Sequence, residues 1–542
     1  MNRTSYFLLF LVTLSLSCGK KVDLLVYNAN VYTVNENFDK ATAFVVDQGK
    51  FIAVGGEELQ SEYDPVNTVD ARGLSIFPGF IDAHGHLLGL GVNHKADLRG
   101  ATSMDQIIQI LKKHHRSHPQ KVLQGSGWDQ NLWEDKSLPN HQQLSQAFPD
   151  LPVLLDRIDG HATLANQKAM EWAAIDPKAT IDGGQMVLDK GQPTGLFIDT
   201  AAQWVHNILP PMTRQDKINA LLRAQEICFE NGITTVDQAG ISKKDIYLID
   251  SLQRQGVMKL KVYAMIHNHP KDLQHFLDKG GLKTALLHVK SVKAYADGAL
   301  GSRGAALKQV YSDQANTKGL LRMDKDSLHR LAALLVKKGF QLNTHAIGDA
   351  ANATVLEVYN QVLAAEDDPR WRIEHAQVVA PEDFSLFNPK IIPSVQPTHA
   401  TSDSPWSEDR LGQDRISGAY AYKDLLDWSG TLALGTDFPV ASPNPFHTFY
   451  TAVTRKAVQD SKQAKPFQEK NALTRYEALL GMTRWAAHAN FEEKEKGSIE
   501  VGKSADFIIL DHDIMEAKLD IVPKTKIVAT IINGKIVFSN RF

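Results

Sequence analysis

The sequence predicts an α/β protein: a TIM-like (β/α)8 barrel with an inserted subdomain, together with a small β-sandwich domain built from both chain ends. Apolar, strand-like runs alternate with helical patterns through the middle of the chain, which is typical of βα units around a parallel barrel. Both ends consist instead of short strand patterns separated by turn signals. At 542 residues the chain exceeds what one core usually holds, so two or three structural units are expected.

The predicted β-sandwich draws on residues 22–74 and 496–542. Both stretches contain short runs of β-branched and aromatic residues bounded by glycine-rich turns. In the second stretch Asn533-Gly534 separates two apolar runs, and this dipeptide is a strong signal for a two-residue hairpin. We therefore expect the two ends of the chain to pair into one sheet-rich domain.

The barrel is predicted over residues 75–495. Its eight strands are expected near residues 75–83, 234–238, 260–266, 289–295, 341–344, 372–375, 391–396 and 431–435. The stretch that follows the first strand is too long for one helix and one loop. We assign residues 88 to about 231 to an inserted subdomain that covers the mouth of the barrel.

The chain is organised around the apolar run that ends in His84 and His86. Alternate side chains of a strand point to the same face, so both imidazoles can reach one metal ion. Two histidines alone could equally lie at a surface turn. Active sites of such barrels lie at the carboxyl ends of the strands. Chemically competent side chains recur at those ends, namely Lys293, Asp297, His345, His375 and Asp437. Their coincidence at equivalent positions predicts a metal site.

These motifs resemble those of the amidohydrolase superfamily. Within it, they are similar to the YtcJ-like and N-substituted formamide deformylase-like metal-dependent hydrolases, the amidohydrolase 3 group. The resemblance spans nearly the whole chain. It rests on residues 77–86, 293–303, 345–349, 374–377, 435–439 and 497–507, and within the insertion on residues 127–129, 138–139 and 159–166.

The resemblance implies a metal-dependent hydrolase barrel with one or two zinc ions. The implied ligands are His84, His86 and Asp437 for one ion and His345 and His375 for the other, with Lys293 as a bridge. Because an ammonium group cannot ligate a cation, Lys293 would have to be carboxylated. The alternative is an unmodified lysine beside a single metal.

The implied chemistry is attack by a metal-activated hydroxide on a polarised carbonyl. Asp437 would accept the proton and pass it to the leaving amine. His161, in the insertion, is either a residue that steadies the oxyanion or a structural histidine. Candidate substrate contacts are Trp128, Asp297 and Arg303.

The expected reaction is hydrolysis of a non-peptide carbon–nitrogen bond in a small N-acyl or N-formyl substrate. Another amide, ester or carbamate, a deamination or an isomerisation stays open, as does a different class, a non-catalytic envelope lipoprotein that binds a ligand. A binder needs no proton shuttle, so Asp437 favours an enzyme. The sequence contains no Gly-x-Ser-x-Gly elbow, Walker A loop or Gly-x-Gly-x-x-Gly fingerprint, which disfavours serine hydrolases, kinases and dinucleotide enzymes.

The N-terminus has the pattern of an export signal. Arg3 precedes an apolar stretch, residues 6–16, that is too short to span a bilayer. The residues that end at Cys18 resemble the bacterial lipobox, although Ser15 stands where leucine is preferred. We expect residues 1–17 to be a signal peptide and the mature protein to be a lipoprotein anchored in a bacterial cell envelope, facing the periplasm. Soluble export after cleavage at a nearby small residue is the alternative.

Charge and cysteine content limit the expected partners. The chain has 59 Lys and Arg residues against 62 Asp and Glu residues, and no basic stripe alternates with aromatic residues. We therefore expect a small-molecule substrate and no nucleic acid. Cys18 and Cys228 can form neither a disulfide framework nor a cysteine-based zinc site. Membrane contact is expected only through the lipid anchor, and the sequence leaves a homodimer open.

Overall fold

The computed structural model of the chain describes residues 19–92, 94–461 and 463–540. Cys18 and the leader lie outside the described residues, so the predictions about export and lipidation stay predictions. Within the described ranges, no helix has the length and apolar character needed to cross a membrane.

The N-terminal part consists of short strands and one helical turn. They are β1 (Lys20–Tyr27), β2 (Asn30–Tyr32), β3 (Lys40–Ala41), β4 (Ala43–Asp47), β5 (Lys50–Gly55), α1 (Leu59–Glu62), β6 (Tyr63–Asp70) and β7 (Ser75–Pro78). The first barrel strand follows as β8 (Phe80–Gly85), with α2 (Leu87–Gly91) after it. Between β7 and β8, a Cβ added at Gly79 would lie 2.4 Å from the Thr234 side chain. The run predicted as one strand is therefore two, because the chain passes close to Thr234 as it leaves the sandwich for the barrel.

The inserted subdomain is built on a six-stranded sheet with the order β13-β14-β12-β11-β10-β9. Its elements are β9 (Ala96–Asp97), α3 (Met104–Ser117), β10 (Leu123–Trp128), α4 (Gln142–Ala147), β11 (Val153–Arg157), β12 (Ala162–Ala165), α5 (Gln167–Trp172), β13 (Gly184–Asp189), β14 (Gln192–Asp199) and α6 (Ala202–His206). The next helix, α7 (Arg214–Glu230), buries Leu221, Ala224 and Cys228 in the barrel core. The insertion therefore ends before α7 and is shorter than the predicted range.

The remaining barrel elements alternate strands with helices. They are β15 (Ile233–Ile241), α8 (Lys243–Arg254), β16 (Lys261–His267), α9 (Pro270–Lys279), β17 (Leu282–Lys283), β18 (Leu287–Tyr295), α10 (Lys325–Lys338), β19 (Gln341–Ala346), α11 (Asp349–Val362), β20 (Trp371–His375), β21 (Ile391–Val395), α12 (Pro397–Asp403), α13 (Ser407–Leu411), α14 (Gln413–Ile416), α15 (Tyr422–Ser429), β22 (Ala433–Leu434), α16 (Pro445–Thr454), α17 (Arg475–Gly481) and α18 (Arg484–Ala489). Eight parallel strands pair in the order β22-β21-β20-β19-β18-β16-β15-β8, with the short β17 antiparallel to β18. The predicted fold class is confirmed.

The last three strands, β23 (Phe507–Leu510), β24 (Ile527–Ile532) and β25 (Lys535–Ser539), return to the N-terminal part. They complete a six-stranded sheet, β25-β24-β23-β7-β2-β3, beside a four-stranded sheet, β5-β4-β1-β6. The Phe44 ring packs edge-on against the rings of Phe51 and Phe507, at centroid distances of 5.3 and 4.9 Å. Asn533 and Gly534 both have positive φ, 49° and 71°, as the predicted two-residue hairpin requires.

The barrel closes between β8 and the segment that follows β22. The backbone N–H of Asp437 donates to the carbonyl of His84 at 2.7 Å, and that of His86 donates to the carbonyl of Phe438 at 2.9 Å. A Cβ added at Gly435 would lie only 2.6 Å from the backbone nitrogen of His84, so only glycine permits the two segments to come this close. Closure therefore brings His84, His86 and Asp437 to one point.

Candidate metal centre

Imidazole, amine and carboxylate groups meet at the carboxyl end of the barrel. The predicted metal ligands that the structure gathers there are His84, His86, Lys293, His345, His375 and Asp437. They come from β8, β18, β19, β20 and the loop after β22, so the barrel strands themselves set their spacing.

His84 is the most central of these groups and is 1% exposed. Its Nε2 lies 3.1 Å from Lys293 Nζ and 3.7 Å from Asp437 Oδ1. His86 Nε2 lies 3.0 Å from the same aspartate oxygen. Potential ligand atoms of His84, His86 and Asp437 all lie within 4.8 Å of one another, close enough for one ion to contact all three.

A second group forms beside the first. The His375 ring centroid is 4.8 Å from that of His84 and 4.6 Å from that of His345. His399, in α12, joins His375 and Asp437 in a set whose ligand atoms are also within 4.8 Å of one another. Its Nε2 is buried without a hydrogen-bond partner. Sequence reasoning missed His399, although its position just beyond the seventh predicted strand was the available signal.

In three histidines of the cluster, one ring nitrogen makes a hydrogen bond that orients the imidazole. The three contacts are His84 Nδ1 with Glu374 Oε2 at 2.5 Å, His375 Nδ1 with Gln396 Oε1 at 2.7 Å, and His345 Nε2 with the Gly298 carbonyl at 3.3 Å. A histidine whose one nitrogen donates to such an acceptor offers the lone pair of the other nitrogen to a metal. The nitrogens left to face a metal are therefore Nε2 of His375, Nδ1 of His345 and Nε2 of His84, which also lies 3.1 Å from Lys293 Nζ.

Burial sets the charges at the site. Burial lowers the pKa of His84 to about 4 and holds the pKa values of His345 and His375 well below the usual value, so these imidazoles are neutral. Burial alone would raise the pKa of Glu374, but Arg372 and His84 hold it below its ordinary value. Glu374 is therefore an ionised acceptor for His84.

Asp437 is the acidic group of the cluster. Burial alone would raise its pKa, but His86, whose Nε2 lies 3.0 Å from the carboxylate, holds it well below the usual value, so the carboxylate is ionised. Its Oδ1 is buried and makes no hydrogen bond with the described residues, although His86 Nε2 lies 3.0 Å away and His84 Nε2 3.7 Å away. A buried carboxylate oxygen beside imidazole nitrogens is the donor set of a divalent transition-metal site. The residues fit the implied metal.

His161 reaches the barrel mouth from the insertion. Its ring lies 5.1 Å from the His345 ring, and its Nδ1 is 2.6 Å from Oδ1 of Asp199. Burial alone would lower the pKa of His161, but Asp199 raises it above the usual value. The structure thus places a histidine that can carry a proton beside the cluster, and its role in steadying an oxyanion stays a prediction.

The three predicted substrate contacts each have an internal partner. Trp128 is buried in the insertion, and its Nε1 donates to the Leu155 carbonyl at 2.8 Å. Asp297 is fully buried and accepts three backbone N–H groups at 2.8 to 2.9 Å. Arg303 makes two hydrogen bonds to Asp313. Contact of these side chains with a substrate stays a prediction.

Comparison with known proteins agrees with this geometry. A model described as "Amidohydrolase family" matches residues 67–538. The chain is 33% identical to the putative amidohydrolase YtcJ of Bacillus subtilis, covering 94% of this chain and 98% of that protein. It is 25% identical to N-substituted formamide deformylase of Arthrobacter pascens, covering 94% and 97%. An uncharacterized metal-dependent hydrolase from Pyrococcus horikoshii OT3 has a similar structure, with a TM-score of 0.73, 28% identity and coverage of 92% and 99%.

Replacing His84 and His86 together by alanine should remove the bound metal and abolish activity, because two imidazole ligands are lost. Metal content by plasma mass spectrometry should fall from about one or two ions per chain to near zero. The control pairs His118→Ala with His329→Ala and should keep full metal content, because both histidines are exposed, one just after α3 and the other on α10. Full occupancy in the His84/His86 variant would refute the ligand assignment.

Proposed function

Because this chain belongs to the amidohydrolase family and is a metal-dependent hydrolase, we propose that it cleaves the carbon–nitrogen bond of a small N-acyl or N-formyl amine, with zinc as its metal. The observation that carries the proposal is the buried, ionised Asp437 carboxylate among the histidines of the cluster. The similarity to a protein named as an N-substituted formamide deformylase supports the formyl class of substrate.

The reaction divides between the metal and the side chains around it. A divalent cation held by this set supplies Lewis-acid chemistry, which polarises a carbonyl and acidifies water. Asp437 accepts a proton from the attacking water as that water's oxygen bonds to the carbonyl carbon. Asp437 then donates the proton to the amide nitrogen as the C–N bond breaks, which yields a carboxylic acid and an amine. His161, held at Nδ1 by Asp199, keeps Nε2 free to donate to the carbonyl oxygen.

Lys293 is proposed to be carboxylated on Nζ. Burial lowers the pKa of Lys293 to about 8, which enlarges the fraction of uncharged amine near neutral pH. The uncharged amine is the form that attacks carbon dioxide, and the resulting carbamate is an anionic oxygen ligand of the type metals bind. The 3.1 Å distance from Nζ to His84 Nε2 places the group inside the cluster.

Protein equilibrated with ¹³C-labelled bicarbonate should therefore show a carbamate carbon resonance in NMR spectra. Lys293→Met should lack this resonance, because no amine remains at that position. Lys290→Met is the matched control, since Lys290 lies on the same strand but outside the cluster, over the Phe340 ring. Identical spectra for wild type and Lys293→Met would overturn the carboxylation proposal.

Asp437→Asn should remove turnover while leaving the fold and the metal in place. Asparagine has the same shape and tolerates the positive φ of 58° found at this position, but its amide cannot take a proton. We expect the rate on a panel of N-formyl and N-acetyl amines to fall at least about a hundredfold. Asp409→Asn, which changes an exposed carboxylate, is the control. A near-normal rate would show that another group moves the proton, and loss of metal would identify Asp437 as chiefly a ligand.

The location is also a proposal: Cys18 is lipidated and tethers the enzyme to a bacterial envelope membrane, with the barrel in water. Each buried methylene of an acyl chain contributes about 0.8 kcal/mol to anchoring. Mass spectrometry of the mature N-terminus should find acyl chains, and detergent partitioning should move Cys18→Ala from the membrane to the soluble fraction. An unmodified Cys18 in a fully soluble wild-type protein would end this proposal.

A further inference from the structure

Beside the metal cluster are two donor groups, the Tyr295 hydroxyl and the Arg322 guanidinium, that make no hydrogen bond with the described residues. Tyr295 ends β18, two residues after Lys293, and its ring lies 5.1 Å from Lys293 Nζ and 5.6 Å from the His345 ring. The Tyr295 hydroxyl makes no hydrogen bond within the part of the chain that the structure describes. The guanidinium of Arg322 lies 5.2 Å from the Tyr295 ring centroid.

Arg322 is held in place by its backbone. Its N–H donates to the carbonyl of Ala296, the residue after Tyr295, at 2.7 Å. Its side chain is 22% exposed and forms no hydrogen bond with any described residue. The nearest carboxylate is Asp199, whose Oδ1 is 3.8 Å from Nη1 and already accepts from His161. The guanidinium is thus partly shielded from water, and its N–H donors remain available to a ligand.

The other arginines of this region each donate hydrogen bonds to side chains of the protein. Arg157 is buried and donates to Gln130, Asp129 and Asp159. Arg303 and Arg410 share Asp313, and Arg410 also donates to Asn131 at 2.7 Å. A partly desolvated guanidinium without such bonds is costly unless a ligand supplies the acceptors.

We propose that Arg322 and Tyr295 bind a carboxylate of the substrate beside the scissile amide. The planar guanidinium presents paired N–H donors that match a carboxylate, and the tyrosine hydroxyl adds a third donor. One guanidinium with Asp199 nearby favours a single negative charge over a phosphate dianion.

This inference rests on the proposed amide hydrolysis and narrows it to amides that carry a carboxylate near the scissile bond. The carboxylate can belong to the amine half, as in an N-acyl amino acid, or to the acyl half, as in a succinyl amide. In both cases the carboxylate accepts hydrogen bonds from the same donors, those of Arg322 and Tyr295.

Kinetics with matched substrates tests the subsite. N-formylglycine against N-formylglycinamide probes the amine half, and N-methylsuccinamate against N-methylbutanamide probes the acyl half. Wild type should prefer the carboxylated member of one pair in kcat/KM. Arg322→Met should reduce that preference at least about tenfold, mainly through KM, Arg322→Lys should restore part of it, and Tyr295→Phe should reduce it less. Arg330→Met, an exposed arginine on α10, should leave it unchanged.

A binding measurement separates this inference from the proposed function. The non-hydrolysable sulfonamides N-methanesulfonylglycine and 3-(methylsulfamoyl)propanoate, each with its neutral carboxamide, are titrated into the metal-loaded protein by calorimetry. One carboxylate should bind at least about tenfold more tightly than its carboxamide, and Arg322→Met should abolish the difference. Equal binding of carboxylate and carboxamide by wild type, or an equal loss of both in Arg322→Met, would overturn the subsite. Arg322-dependent binding without hydrolysis of any amide would leave the subsite standing and refute the proposed function.

Discussion

The hydrogen bonds that Asp82 makes across the barrel seam are the contact on which the site depends. Its carboxylate accepts from the backbone N–H of Thr436 at 3.0 Å and from the Thr436 hydroxyl at 2.6 Å, joining residues 354 positions apart. It also accepts from the His84 N–H at 3.1 Å. Burial raises the pKa of Asp82 to about 6, and these hydrogen bonds offset part of that cost. Asp82 lies two residues before His84, and Thr436 comes directly before Asp437. The hydrogen bonds between Asp82 and Thr436 therefore set the spacing between His84 and Asp437.

A buried network of charged side chains around Arg372 lies behind the metal ligands and holds them in position. Arg372 is fully buried, donates to Asp237 at 2.7 Å and to Ser394 at 2.7 Å, and lies beside Glu374, which in turn holds His84. Removing one partner from such a buried network typically costs about 3–5 kcal/mol, since an uncompensated charge remains. The metal ligands are therefore held by the barrel strands and by buried neighbours of those strands.

Strand patterning explains how much of this was predictable from sequence. The eight strands are apolar runs, and the ligands His84, Lys293, His345 and His375 occupy their carboxyl ends, so pattern and position together located them. His399 escaped because it lies on a short helix beyond its strand, where a histidine has no distinctive neighbours. Asp199 escaped for another reason: an orienting partner is defined by a contact in space, and the position of Asp199 in the sequence carries no signal. Gln396 does end a predicted strand, but its role comes only from its contact with His375. Arg322 also carries no sequence signal, because the proposed role depends on the absence of side-chain hydrogen bonds to the described residues.

The central claim is that the strand-end cluster holds a divalent metal for hydrolysis. Anomalous diffraction at the zinc absorption edge, on crystals of the purified protein, tests it most directly. We predict a strong anomalous peak in contact with His84, His86 and Asp437, with continuous density beyond Lys293 Nζ for the carbamate. A metal-free cluster in crystals of protein that hydrolyses amides at full rate would contradict the claim.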